Sequence, residues 1–157
     1  MLGRWLKVRN WWDPVAGTEI VLGAMPFARD IAALAELGVG GVVNTCEEYP
    51  GPVEQYQQHG ITQFRMPTID FTHPKLDDVI RAVEFMDQQF EAGNKVYVHC
   101  KAGRARSATV AICWLIKNRN MTAEQGQQHL LECRPHVNSR LPQRPVVQEF
   151  EKRFGTA

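Results

Sequence analysis

The chain has 157 residues, 44% hydrophobic and 22% charged, which fits one ordinary domain with enough apolar material for a real core. A formal net charge of +1 argues against a general nucleic-acid binder, and no apolar run reaches the roughly eighteen residues that a membrane span needs. The four cysteines, Cys46, Cys100, Cys113 and Cys133, form no CxxC pair and follow no secretory signal, so neither a disulfide framework nor a zinc ribbon is expected, and reduced thiols in a cytosol-like compartment are.

Residues 1–12 carry Trp5, Trp11 and Trp12 among Arg4, Lys7 and Arg9. That mixture suits either a peripheral segment at a lipid surface or a start segment whose tryptophans pack on the domain; Asp13-Pro14 ends it. Glu19 to Leu22 reads as a short strand. Asp30 is expected to cap a helix from Ile31 to Leu37, stopped by Gly38. Gly41 to Thr45 reads as a buried strand, Val53 to Gln58 as a helix, and Ile61 to Met66 as a strand. Leu76, Val79, Ile80, Val83, Met86 and Phe90 recur at spacings of three and four and line one face of a longer helix. Lys95 to His99 is then a strand, and Ser107 to Lys117 an apolar helix. Thr122 and Gln125 form a capping box for a helix to about Glu132, and a last helix is expected from Pro145 to Phe154. Strands alternating with helices predict an α/β fold, a central, largely parallel sheet flanked by helices, with its active site beyond the carboxyl ends of the strands.

Charge is uneven along the chain. Lys95 to Arg144 holds nine Lys/Arg and two Asp/Glu, a local +7 that leaves −6 elsewhere, and a basic second half suits an anionic ligand. Within it, His99-Cys100-Lys101-Ala102-Gly103-Arg104-Ala105-Arg106-Ser107 joins a strand to a helix. A short turn of this kind points successive backbone N–H groups inward as a nest, and the helix adds its positive end, so Lys101, Ala102, Gly103, Arg104 and Ala105 form a cradle for a phosphate dianion. The same field lowers the Cys100 thiol below its free value of about 8.5 and makes it a nucleophile. Arg106 offers a planar two-pronged donor to the phosphoryl oxygens, Ser107 a hydroxyl to the thiolate, and His99 a loop-holding hydrogen bond rather than a general base. The leaving oxygen needs a proton; Asp70, thirty residues before Cys100 and just after a predicted strand, is favoured over Asp77 and Asp78, which suit the first turn of a helix. No Gly-Lys-Ser/Thr ends the loop, so it is not a nucleotide-binding loop, and no ligand set at metal spacing accompanies His99; neither metal nor cofactor is expected.

This signature resembles that of the cysteine-based, dual-specificity-like protein tyrosine phosphatases. Leu22-Gly23-Ala24-Met25-Pro26-Phe27, Gly38-Val39-Gly40-Gly41-Val42-Val43, Glu47-Glu48-Tyr49 and the Lys-Ala-Gly-Arg loop narrow the likeness to the mitochondrial-type branch, over about Trp11 to Phe150. The resemblance implies a protein tyrosine phosphatase-like fold over residues 1–157, Cys100 as nucleophile, Arg106 as phosphate binder, Asp70 as general acid, and a phosphocysteine intermediate. It implies phosphatidylglycerophosphate as substrate, hence an anionic phospholipid headgroup and peripheral membrane contact. A dual-specificity phosphoprotein phosphatase, a phosphoinositide or phosphoglucan phosphatase and a non-catalytic phosphate-binding module are the alternatives. Glu47, Glu48 and Tyr49 are expected either to shape the pocket edge, with Tyr49 touching substrate, or to form a solvated loop. Arg134, His136, Arg140 and Arg144 are candidates for the pocket rim. Cys46 is a candidate redox partner of Cys100, or else a packed thiol. The expected location is cytoplasmic or peripheral at a membrane, and mitochondrial only for a trimmed eukaryotic chain, since the N-terminus is short for a full targeting peptide as well as the domain.

Overall fold

The computed structural model describes residues 9–156. Five strands form one sheet in the order β1-β2-β5-β3-β4: β1 Trp12–Pro14, β2 Ile20–Gly23, β3 Val39–Cys46, β4 Thr62–Thr68 and β5 Lys95–His99. β2, β5, β3 and β4 run parallel, and only β1 is antiparallel to its neighbour. The central strands are buried on both faces, which is why they read as nearly continuous apolar runs. Their side chains still alternate. Ile20, Leu22, Val43, Val96 and Val98 enter one core, whereas Val21, Val42 and Tyr97 enter the other.

The larger core is covered by four helices, α3 Leu76–Glu91, α4 Arg106–Asn118, α5 Ala123–Cys133 and α6 Pro145–Phe154. The smaller one is closed by Ile31 and Leu34 of α1 Ile31–Glu36 and Tyr56 of α2 Val53–Gln58. Val79, Val83 and Met86 are buried along α3, on the face that the apolar spacing marks. α4 is buried over almost its whole length, and Asp87 ties it to α3 by accepting from Trp114 Nε1 and Lys117 Nζ. Thr122 caps α5 reciprocally with Gln125, as the capping box predicts.

Three expectations need correction. Asp13-Pro14 does not simply end the N-terminal segment but lies in the edge strand Trp12–Pro14, and Trp12 follows the packed alternative, meeting Tyr97 edge-on; Trp11 Nε1 donates to the Met25 carbonyl. Trp5 and the rest of residues 1–8 lie outside the described residues. Asp30 does not cap α1: its carboxylate accepts from Phe27 N and closes the 3-10 turn Ala28–Asp30 just before that helix. β4 is displaced toward the C-terminus and includes Pro67, which its edge position tolerates because one side needs no ladder donor.

The link between the first strand and the second half of the chain is Arg134. It is 1% exposed, and its Nη1 donates to Asp13 Oδ2 at 2.7 Å and to the Asn10 carbonyl at 3.1 Å. Replacing it leaves a buried carboxylate uncompensated. An Arg134→Leu variant is expected to lose about 3 kcal/mol of stability in urea denaturation; an unchanged midpoint would show that the pair does not hold β1 in place.

Candidate active site

Cys100 follows β5 directly, and α4 begins at Arg106, so the intervening loop sits beyond the carboxyl ends of the parallel strands. Every carbonyl of that loop is held from outside the cleft. Met25 N donates to Lys101 O, Arg134 Nη2 to Ala102 O and Arg134 Nε to Gly103 O. Asn138 N donates to Arg104 O, and Thr109 N to Ala105 O. With the carbonyls turned away, the N–H groups face inward as an anion nest. Gly103 is required twice over: its φ is +67°, and an added Cβ would lie 2.5 Å from the carbonyl carbon of Gly23.

The Cys100 thiol is almost fully buried, 3.1 Å from Ser107 Oγ and 3.2 Å from the donating N–H of Gly103. Burial alone pushes its pKa up. The Ser107 hydroxyl and the N–H groups of Ser107, Arg104 and Ala105 outweigh burial and bring it below its ordinary value. His99 is buried and pushed down to about 4, chiefly by desolvation, so it is neutral near pH 7; its Nδ1 lies 3.2 Å from the Cys100 carbonyl. That geometry suits a loop-holding group.

Arg106 is 2% exposed. Its Nη1 and Nη2 donate to the two oxygens of Glu48 at 2.8 and 2.9 Å, and Nη1 also donates to the Thr68 carbonyl. These hydrogen bonds from Arg106 hold the Glu48 carboxyl down at about 2. Among the described residues no acceptor takes the Arg106 Nε–H, which leaves that edge for a ligand. Asp70 Oδ1 stands 3.4 Å from Arg106 Nη2 and accepts from Phe71 N. Asp70, Cys100, Lys101, Arg104, Arg106 and Arg144 all line one cleft of about 500 Å³. Asp77 and Asp78 do not line it, and Asp78 is paired with Arg81 on α3.

Several expected rim and pocket residues lie elsewhere. Tyr49 does not offer its hydroxyl to the cleft; the hydroxyl donates to the Pro26 carbonyl at 2.6 Å, and the ring meets His99 edge-on. Glu47 is exposed and touches β4 through its backbone, and Glu48 does not line the cleft but takes both Arg106 Nη groups on its carboxylate. Arg134 is behind the loop, not on its rim, because two loop carbonyls and Asp13 surround its guanidinium. Arg104 Nε donates to the His136 carbonyl and thereby pins the adjoining segment. Arg144 reaches the cleft, whereas Arg140 is exposed outside it. Cys46 is fully buried at the end of β3, and desolvation pushes its thiol up to about 12 against the pull of Arg106. The carbonyl-holding partners Met25 and Asn138, and the Thr68 carbonyl on Arg106, carry no signal in their local sequence. Each acts through chain segments far from the loop.

The family model for the dual specificity phosphatase catalytic domain matches residues 20–153. The chain is 38% identical over 146 residues to the phosphatidylglycerophosphate phosphatase PTPMT2 of Arabidopsis thaliana, an alignment covering 91% of this chain and 64% of that protein, so it spans less than two thirds of the plant relative. It is 32% identical over 153 residues to the human phosphatidylglycerophosphatase and protein-tyrosine phosphatase 1, covering 93% of this chain and 76% of the relative. A crystal structure of PTPMT1 in complex with PI(5)P superposes with a TM-score of 0.84 at 32% identity, over 92% of this chain and 97% of the other. With a matching family model, these relatives and an inward-facing Cys100–Arg106 loop, the chain belongs to the dual specificity phosphatase catalytic-domain family.

Proposed function

We propose that residues 1–157 act as one phosphatase domain that hydrolyses the phosphomonoester of phosphatidylglycerophosphate through a cysteinyl-phosphate intermediate. The observation that carries the chemistry is the loop whose carbonyls are all held outward, with the Cys100 thiol at its centre and the free edge of Arg106 beside it. The non-bridging phosphoryl oxygens sit in the nest and on Arg106. Cys100 Sγ attacks phosphorus as the ester P–O bond breaks, and Asp70 gives its proton to the departing alkoxide. Asp70, now a carboxylate, then takes a proton from the water that attacks the phosphocysteine. The sulfur leaves as a thiolate, received by the Ser107 hydroxyl. Glu48 and the Thr68 carbonyl position Arg106, and His99 positions the loop.

The lipid reading is supported by the relatives' activities and by Lys101, Arg104 and Arg144, three cations beyond Arg106 that line the cleft and suit a headgroup with a phosphodiester as well as a phosphomonoester. A phosphoinositide is the second reading, favoured by the PI(5)P complex of the structural relative. No helix among the described residues is long and apolar enough to cross a membrane, and a peripheral enzyme acting at a lipid surface fits that reading.

Phosphate release from phosphatidylglycerophosphate, a phosphoinositide and a phosphotyrosyl peptide, in mixed micelles without added metal, tests the substrate. The expected order places phosphatidylglycerophosphate first; a preference for the peptide would move the protein to the phosphoprotein class. Cys100→Ser is expected to bind phosphate and turn over nothing. Asp70→Asn is expected to lower kcat/KM, which reports only through cleavage of the ester P–O bond and not the shared hydrolysis of the phosphocysteine, about a hundredfold on the lipid, whose alkoxide leaves only with a proton, and far less on p-nitrophenyl phosphate, whose leaving group needs none. Equal losses on both would remove Asp70 from the acid role.

Ser107→Ala gives a separate pH test. The hydroxyl favours the thiolate, so its removal raises the Cys100 pKa. The acidic limb of kcat/KM, and the pH dependence of alkylation by iodoacetate, should both move to higher pH. Superimposable profiles would refute this role.

A further inference from the structure

Six large hydrophobic side chains stand exposed among the described residues, and four of them lie in or next to the cleft and the groove that adjoins it. Phe71, which lines the cleft, is 98% exposed, and Ile69, just before Asp70, is 62% exposed. Trp11 and Phe27, 47% and 38% exposed, pack against each other with ring centroids 5.8 Å apart. Together with Ala24 and Met25 they line a second groove of about 450 Å³. Lys101, Ala102 and Arg104 border both the groove and the cleft. A basic ridge therefore runs between two apolar margins. Arg144 stands in the cleft, and Arg29 lies over the Phe27 ring at 5.2 Å.

Single exposed apolar residues are ordinary, but a concentration of them rimmed by cations marks a contact surface. Phe71 strengthens the case, since its φ of +63° is costly for a bulky residue and yet its ring gains no burial within the chain. Aromatic side chains placed beside lysine and arginine match the chemistry of a phospholipid headgroup layer, where rings enter the interface and cations meet phosphates.

We propose that this face docks on an anionic phospholipid bilayer, with Ile69 and Phe71 on one side of the cleft and Trp11 and Phe27 on the other entering the headgroup region, and Lys101, Arg104 and Arg144 facing lipid phosphates. The proposal rests on the lipid reading of the cleft and adds its orientation. A phosphomonoester projecting from the bilayer then meets Cys100 without the lipid leaving the membrane. Leu37, also exposed, precedes β3 and so lies at the opposite end of the sheet, away from the proposed contact.

The test is co-sedimentation of the full chain with phosphatidylcholine vesicles, with and without phosphatidylglycerol. Phosphatidylglycerol carries no phosphomonoester, so binding is read apart from turnover. Wild-type protein is expected to bind the anionic vesicles preferentially, and less so at high salt. Ile69→Ser/Phe71→Ser, and separately Phe27→Ser, should each weaken that binding about tenfold, while Leu37→Ser should not. Thermal melts matching wild type show that the variants are folded. The proposal is overturned if wild type ignores the vesicles, if it binds both compositions equally, or if the variants bind as wild type does. Loss of phosphotyrosyl-peptide affinity in the variants with vesicle binding intact would make the face a protein-recognition surface instead. A lipid substrate turned over by a protein that ignores vesicles would leave the catalytic reading standing and remove the docking face.

Discussion

The site depends on turning five consecutive peptide units the same way. A loop that binds a dianion must aim N–H groups at it, and each opposing carbonyl then needs a donor on the far side. Here Met25, Asn138 and Thr109 supply three such donors through their backbone, and one guanidinium supplies the other two. Arg134 suits that task because its fork is planar and always charged, so it can hold the adjacent carbonyls of Ala102 and Gly103 while its remaining edge meets Asp13. A buried arginine is expensive to desolvate, and the Asp13 carboxylate together with four backbone carbonyls offsets that cost.

A second buried arginine stands on the other side of the phosphate site, and the two are not interchangeable. Arg106 lines the cleft, and Glu48 and the Thr68 carbonyl fix its plane. The arrangement is preorganised, with cation, nest and thiolate in place and little reorientation left for the transition state. Asp70 approaches the same guanidinium more loosely, at 3.4 Å, from a half-exposed position on the loop after β4.

Local chemistry was legible in the sequence wherever one segment carries it whole. The run from His99 to Ser107 contains strand end, nucleophile, glycine turn and helix start together, and the apolar spacing of α3 and the capping box of α5 are equally self-contained. What needed the fold were partnerships between distant segments. Glu48 and Arg106 meet because β3 and β5 are neighbours that end at the same edge of the sheet. Arg134 looks like any basic residue between two helices until β1 and the phosphate loop close around it. β1 itself is three residues long, too short for a period to show, and it exists because the edge of β2 accepts it. Asp30 stands at the cap position of α1, but its backbone is already helical and its carboxylate turns back to Phe27 N at the start of the preceding 3-10 turn.

The carbonyls of the phosphate loop also give the reactive cysteine a place in the order of synthesis. Cys100 leaves the ribosome before Arg134 and Asn138, yet the donors that orient its loop include both of them, and Arg134 is in turn paired with Asp13 on β1, made well before either. A nascent chain that has not reached those residues lacks the donors for three of the five loop carbonyls, so the nest around Cys100 is complete only once β1 and the late-made segment have come together behind it.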